Sequence, residues 1–141
     1  MRLILIVVVF LALSCQRTED PPDFVPDQAG LPEGFTAFYE QFHQDSAYQM
    51  AHIVWPLEGV PDNAGDRLQD RSYRWQKEDW VMMGAIDYSS GQYQREFLSM
   101  GKDIIIEKIT HESGRYALIR RFAVVSGEWH LIYYAGVNPV R

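Results

Sequence analysis

The hydrophobic period of this chain changes once, from helical to alternating, and that change limits the architectures open to it. Phe35, Phe38, Tyr39 and Phe42 recur at i, i+3, i+4 and i+7, one stripe of an amphipathic helix. Glu40, Gln41, His43 and Gln44 lie off the stripe. Ser46 to Gln49 reads S-x-x-Q, a capping box that predicts a second short helix from Ser46. Ile53, Val54 and Trp55 are strand-formers, and Pro56 predicts that their strand is an edge or ends there. Val60 to Arg71 reads as loop, and Ser72 to Ala85 fits either a strand or a helical turn. Four β-segments follow: Gln92–Met100, Asp103–Thr110, Arg115–Val125 and Glu128–Ala135. The breaks at Gly101, His111–Gly114 and Ser126-Gly127 are hairpin signals. The expectation is an α+β domain, with two N-terminal helices packed on one face of a curved antiparallel sheet.

The chain has 141 residues, enough for one domain. Apolar residues make up 47%, so a packed core is expected. Net charge is −6, with no basic run longer than Arg120-Arg121, which argues against nucleic acid as a partner.

The start, MRLILIVVVFLALSC, carries Arg2, an unbroken apolar run from Leu3 to Leu13, then Ser14 and Cys15. The run is too short for a bilayer core of about 30 Å. It has the charged start, apolar middle and small-residue end of a secretory signal. LALSC resembles the bacterial lipobox, although Ala12 and Leu13 replace the commoner order of leucine then small residue. That resemblance implies cleavage before Cys15, lipidation of its thiol, and membrane attachment through acyl chains. Gln16 follows, where aspartate is linked with inner-membrane retention, so an outer-membrane lipoprotein is implied. Cys15 is the only cysteine, which rules out an internal disulfide. Residues 16–30 belong to a stretch rich in proline and acid, without periodicity, and read as a tether. The domain is expected over residues 31–141, after a signal over residues 1–15.

FYEQFHQDSAYQMAHIVWPLEG and the closing IRRFAVVSGEWHLIYYAG together resemble a family of Bacteroidetes lipoproteins known as domain of unknown function 4348. Its members share F-x-x-D-S-x-[FY]-Q, here Phe42, Asp45, Ser46, Tyr48 and Gln49. They share P-L-x-G, here Pro56, Leu57 and Gly59. They also share a terminal W-x-L-x-Y-Y, here Trp129, Leu131, Tyr133 and Tyr134. The resemblance implies the cone-shaped, nuclear-transport-factor-2-like roll, also grouped as cystatin-like. That superfold hosts enzymes and binding modules alike, so it leaves function open. It carries no catalytic residues over to this chain.

Candidate chemistry is sparse. His43, Asp45 and His52 lack the spacing of a metal set such as HExxH; His111 falls in a turn and His130 on a strand, so no metal site is expected. There is no G-x-S-x-G around a serine, and no cofactor is implied. Asp45 and Ser46 are better read as a break and cap between helices. The four tryptophans read mostly as core, with an exposed ligand-binding patch as the other possibility.

Strand alternation yields one cluster. A tight turn at Ser126-Gly127 sets Val124 against Trp129, Phe122 against Leu131, Arg120 against Tyr133 and Leu118 against Ala135. Placing Ile109 opposite Tyr116 sets Glu107 against Leu118, diagonal to Arg120. On the preceding strand, the register that opposes Arg95 to Glu107 avoids like-charge pairs. Arg95, Glu107, Arg120 and Tyr133 are therefore predicted on one sheet face, where they would floor a pocket for a small polar ligand. A structural salt bridge explains the same residues, and a slip of one residue would reverse their faces. An arginine-paired glutamate is a poor base near neutral pH, because protonation would break the pair.

Three functions follow as expectations. The favoured one is a lipid-anchored, non-catalytic binding or assembly module of the bacterial envelope. One alternative is a small envelope enzyme with Glu107 and Tyr133 as its acid–base pair. The other is a structural subunit that forms a homodimer through its sheet face.

Overall fold

The computed structural model describes residues 25–26, 30–65 and 71–140. Cys15, the expected signal and most of the expected tether lie outside the described residues. The sheet strands are β1 (Val25–Pro26), β2 (Ile53–Val60), β3 (Arg74–Trp75), β4 (Tyr93–Met100), β5 (Ile104–His111), β6 (Tyr116–Val125) and β7 (Glu128–Pro139). The helices are α1 (Phe35–Gln44) and α2 (Ser46–Ala51).

The aromatic stripe builds α1. Phe35 and Phe42 are fully buried, and Phe38 and Tyr39 nearly so. Phe35 meets Trp129 at 5.0 Å, Phe122 at 5.5 Å and Phe97 at 5.9 Å, all near edge-on. Edge-to-face contacts set the negative face of one ring against the positive rim of another. Burying each phenyl contributes about 1.5–3 kcal/mol. Asp45 is extended and breaks the helix, and its Oδ1 accepts from Tyr48 N at 3.0 Å to cap α2. The cap of α2 is thus Asp45, one residue before the serine that the S-x-x-Q spacing marks. Gln49 turns inward instead of completing a capping box, and is fully buried.

The seven strands run in the order β1-β4-β5-β6-β7-β2-β3. Hairpins join β4 to β7 as the alternation predicts, and the β6–β7 turn places Ser126 and Gly127 at positive φ. The sheet is mixed, however, because β2 runs parallel to β7. Hairpin signals govern only strands joined by tight turns, and β2 and β7 are far apart in the chain. Nor does Pro56 end β2 or leave it at an edge: the strand continues to Val60 and β3 flanks it. The β2–β7 register shifts between Ile53 and Glu58, so the missing proline N–H falls within the irregular stretch. In the stretch expected to be tether, β1 pairs with β4, Val25 opposite Phe97.

The inner face of the sheet carries Phe97, Ile105, Phe122, Trp129 and Leu131 against the helices. Trp55, Trp75 and Trp80 pack edge-on beside this core. The Trp75 indole donates to Tyr134 O at 2.9 Å across Gly59. A Cβ at Gly59 would overlap the Tyr134 carbonyl oxygen and lie 2.7 Å from Trp75 Nε1, which explains the glycine in P-L-x-G.

Candidate functional site

Between the aromatic core and the far ends of β4, β5 and β6 lies a layer of polar side chains. Glu107 pairs directly with Arg120 in the β5–β6 register. Both are buried, at 0% and 3% exposure. Arg120 Nη1 donates to Glu107 Oε2 at 3.3 Å. The Tyr39 hydroxyl descends from α1 and donates to Glu107 Oε1 at 2.5 Å. Arg120 Nη1 also lies 2.9 Å from His43 Nε2, while His43 Nδ1 lies 2.8 Å from Tyr39 O. A guanidinium only donates, so Nε2 accepts and the Nδ1–H donates to the carbonyl. One circuit results: Tyr39 to Glu107, Arg120 to Glu107, Arg120 to His43, His43 to Tyr39.

The electrostatics agree with that assignment. Burial, then the adjacent Arg120 charge, pushes His43 down to about 4, so the ring is neutral near pH 7. Burial and Glu107 push the Tyr39 hydroxyl far above its ordinary value, so it keeps its proton. Burial opposes the Arg120 charge, but Glu107 and then the surrounding tyrosine oxygens outweigh it. Both carboxylate oxygens of Glu107 are engaged and the side chain is fully buried, so it is closed to a substrate arriving from solvent. The layer is a charge-balanced lock, and it lacks the exposed base that proton abstraction requires.

Arg95 occupies the outer end of the layer. Its guanidinium carbon lies 5.4 Å from the Tyr39 ring centroid, 4.7 Å from Tyr88 and 4.9 Å from Phe97. Such stacking holds the guanidinium plane in place over the three rings. Beside it opens a cleft of about 180 Å³, lined by Tyr39, Glu40, His43, Gln44, Ala85, Ile86, Tyr88 and Arg95. One wall comes from residues 80–88, which carry no regular secondary structure. Gln49 holds the start of that segment. Its Nε2 donates to Phe42 O (2.7 Å) and Met83 O (2.9 Å), and its Oε1 accepts from Met83 N (2.9 Å) and Trp80 Nε1 (3.1 Å).

Of the four residues predicted to share a face, the structure brings together Arg95, Glu107 and Arg120. Their registers differ from those drawn from the sequence: Arg95 opposes Ile109, and Glu107 opposes Arg120 rather than Leu118. Each pairing is displaced by two residues, which preserves the face. Tyr133 goes to the opposite face. Phe122 pairs with Leu131 as predicted, but Arg121, not Arg120, pairs with Tyr133, because the ladder shifts between them. Tyr134 therefore stands across from Arg120, and Tyr133 stacks under Arg121 at 5.0 Å. The acid–base pair of Glu107 with Tyr133 is thus excluded by geometry.

Tyr39 and His43 are the participants that strand alternation alone does not reveal. His43 lies off the Phe35–Phe42 stripe by spacing, yet is 6% exposed. Its position four residues after Tyr39 was the available signal, since such pairs are neighbours on a helix. Among the described residues no group of three His, Cys, Asp or Glu side chains converges as a metal site would. No helix among them is long and apolar enough to cross a membrane.

No family model matches the chain, and none of the curated proteins compared with it does. Solved structures do. A cystatin-like protein from Bacteroides caccae ATCC 43185 superposes with a TM-score of 0.53 at 17% identity, covering 74% of this chain and 78% of that one. An NTF2-like protein from Bacteroides fragilis NCTC 9343 reaches a TM-score of 0.49 at 15% identity, covering 79% of this chain and 50% of that one. At the identity of the first, the likeness concerns the fold: two helices on a curved mixed sheet, a cystatin-like α+β roll.

Proposed function

We propose that this chain is a lipid-anchored, non-catalytic binding module of the bacterial envelope, related to the Bacteroidetes lipoproteins that its motifs resemble. The observation that carries the non-catalytic half is the engagement of both Glu107 oxygens, by Tyr39 and by Arg120. A carboxylate so held is spent on structure. The cleft beside Arg95 is the place where a ligand would meet a charged side chain. The anchoring half is supported by the lipobox-like LALSC, with Cys15 as the lipidated residue. Gln16 favours the outer membrane as destination. Pairing of two copies through the sheet is the weaker reading, because Glu96, Lys108 and Arg121 interrupt the face opposite the helices.

The test has two parts, both on the full chain expressed in a Bacteroidetes host. Membranes are isolated from cells making the natural chain and Cys15→Ser, and the released protein is quantified. The anchored reading expects Cys15→Ser in the soluble envelope fraction; an unchanged membrane fraction overturns it. The purified natural chain is then denatured and its small-molecule extract analysed by mass spectrometry. A stoichiometric co-purifying compound is the expected result, and an empty extract counts against a binding module.

A further inference from the structure

The fold brings together two histidines that lie outside the polar layer. His52 closes α2 just before β2, and His130 lies on β7. Their spacing along the chain gives no metal set. However, β2 runs parallel to β7 with Ile53 opposite Leu131, and Leu131 N donates to His52 O at 2.9 Å. The residues before that pair are therefore neighbours, and the two imidazole centroids lie 5.2 Å apart.

Both rings are held in the same way. His52 Nδ1 lies 2.8 Å from Tyr48 O, and His130 Nδ1 lies 2.9 Å from Glu128 O. A carbonyl only accepts, so in the neutral rings both Nδ1 atoms carry the proton and both Nε2 atoms keep a lone pair. No hydrogen bond engages either Nε2 among the described residues. Tyr48 stacks on the His52 ring at 3.8 Å, which fixes its plane. An imidazole whose Nδ1–H is spent on a backbone carbonyl has the tautomer and the setting of a metal-bound histidine.

The spacing suits a single ion. At a Zn–N distance of about 2.0–2.1 Å, each ring centre would stand roughly 3 Å from the metal. Two rings can then share one ion at centroid separations up to about twice that, and 5.2 Å falls inside the limit. A negative charge stands nearby: burial, then the Glu128 carboxylate, pushes the Tyr48 hydroxyl above its ordinary value. Both histidines are partly exposed, so an ion has access. No third His, Cys, Asp or Glu joins them among the described residues, which assigns the other coordination positions to water. From these observations we infer that His52 and His130 bind a late first-row divalent metal ion, Zn²⁺ or Cu²⁺, through their Nε2 atoms, and so tie β7 to the start of β2. Imidazole ligands select these ions over Mg²⁺ and Ca²⁺, which take oxygen. The site is separate from the cleft beside Arg95 and does not depend on the binding-module reading.

The experiment is isothermal titration of the full chain with Zn²⁺ near neutral pH, with Mg²⁺ as the hard-cation control. Zn²⁺ should bind saturably at one ion per chain and raise the melting temperature, because the pair exists only in the folded chain. Mg²⁺ should do neither. His52→Gln and His130→Gln should each weaken Zn²⁺ binding at least about tenfold. His111→Gln, at the far end of β5, should leave it unchanged. Electron paramagnetic resonance of the natural chain with one equivalent of Cu²⁺ guards against a variant that misfolds, and should show two nitrogen ligands. Zn²⁺ binding that survives either variant at His52 or His130 overturns the assignment. So does the absence of saturable binding at millimolar Zn²⁺, equal binding of Mg²⁺, or a Cu²⁺ spectrum with fewer than two nitrogens.

Discussion

Glu107 and Arg120 face each other directly across β5 and β6, with 3.3 Å between carboxylate oxygen and guanidinium nitrogen, and neither is open to solvent. A buried pair is weak evidence for stability, because desolvating two charges offsets much of their attraction. Breaking it from one side is another matter. Arg120→Met would leave Glu107 buried with a single donor, Tyr39, and would leave His43 Nε2 without one. The expected cost is about 3–5 kcal/mol in urea denaturation of the full chain. The double variant Arg120→Met/Glu107→Leu removes both charges and should recover most of that loss. Equal destabilisation of the single and double variants would mean that the lock has no electrostatic content.

How far the sequence discloses this arrangement depends on what each residue asks of its neighbours. The ridge of Phe35, Phe38, Tyr39 and Phe42 is legible because helical spacing alone puts the rings on one side. Arg95, Glu107 and Arg120 fall on a common face even though both registers slip, because a slip of two residues leaves the pleat unchanged. Tyr133 fails for the same reason inverted. A single extra residue enters β7 between Leu131 and Tyr133, and nothing in the local sequence announces it. The roles of Tyr39 and His43 are hidden differently: helical spacing gives the face of a side chain, whereas the circuit depends on which strand lies beneath it. The parallel β2–β7 pair is likewise a long-range fact that no turn signal encodes.

Gln49 is the latch of the segment 80–88. All four of its hydrogen bonds reach outside its own helix turn, to Phe42 O, Met83 O, Met83 N and the Trp80 indole. Gln49→Leu fits the volume but satisfies none of these groups, and buried orphans cost about 1–3 kcal/mol each where water cannot reach them. Some will find water at this half-exposed strap, so the net loss should be about 3 kcal/mol by denaturation. The more telling readout is local. Hydrogen exchange at the Met83 amide should accelerate far more than exchange at Ile105 or Phe122 in the central strands. Uniform acceleration across the domain would show that Gln49 supports the core as a whole rather than the strap.

His43 makes the stability of the domain depend on pH in a predictable direction. Its Nε2 accepts from Arg120 and its Nδ1–H donates to Tyr39 O, and Arg95 lies close enough to add to the same field. Protonation would turn the acceptor into a donor facing a guanidinium, in a site with little water. Burial and Arg120 accordingly push the folded ring down to about 4, against an ordinary value of 6.5. Between those two values the unfolded chain takes up a proton that the folded chain does not, so stability falls as the pH drops from 6.5 toward 4 and is unaffected above that window. The full loss is about 3 kcal/mol, from the difference between the two values at about 1.4 kcal/mol per pH unit. Acidification acts on the whole domain and not on His43 alone, so the test is a comparison. Melting temperatures of the natural chain and His43→Gln are measured from pH 7.5 to 4.5. The glutamine variant starts lower, because its amide cannot reproduce both ring contacts, but it should lose less on acidification. Parallel curves for the two chains would mean that His43 is protonated at no greater cost in the folded state than in the unfolded one, and the neutral-ring circuit would be wrong.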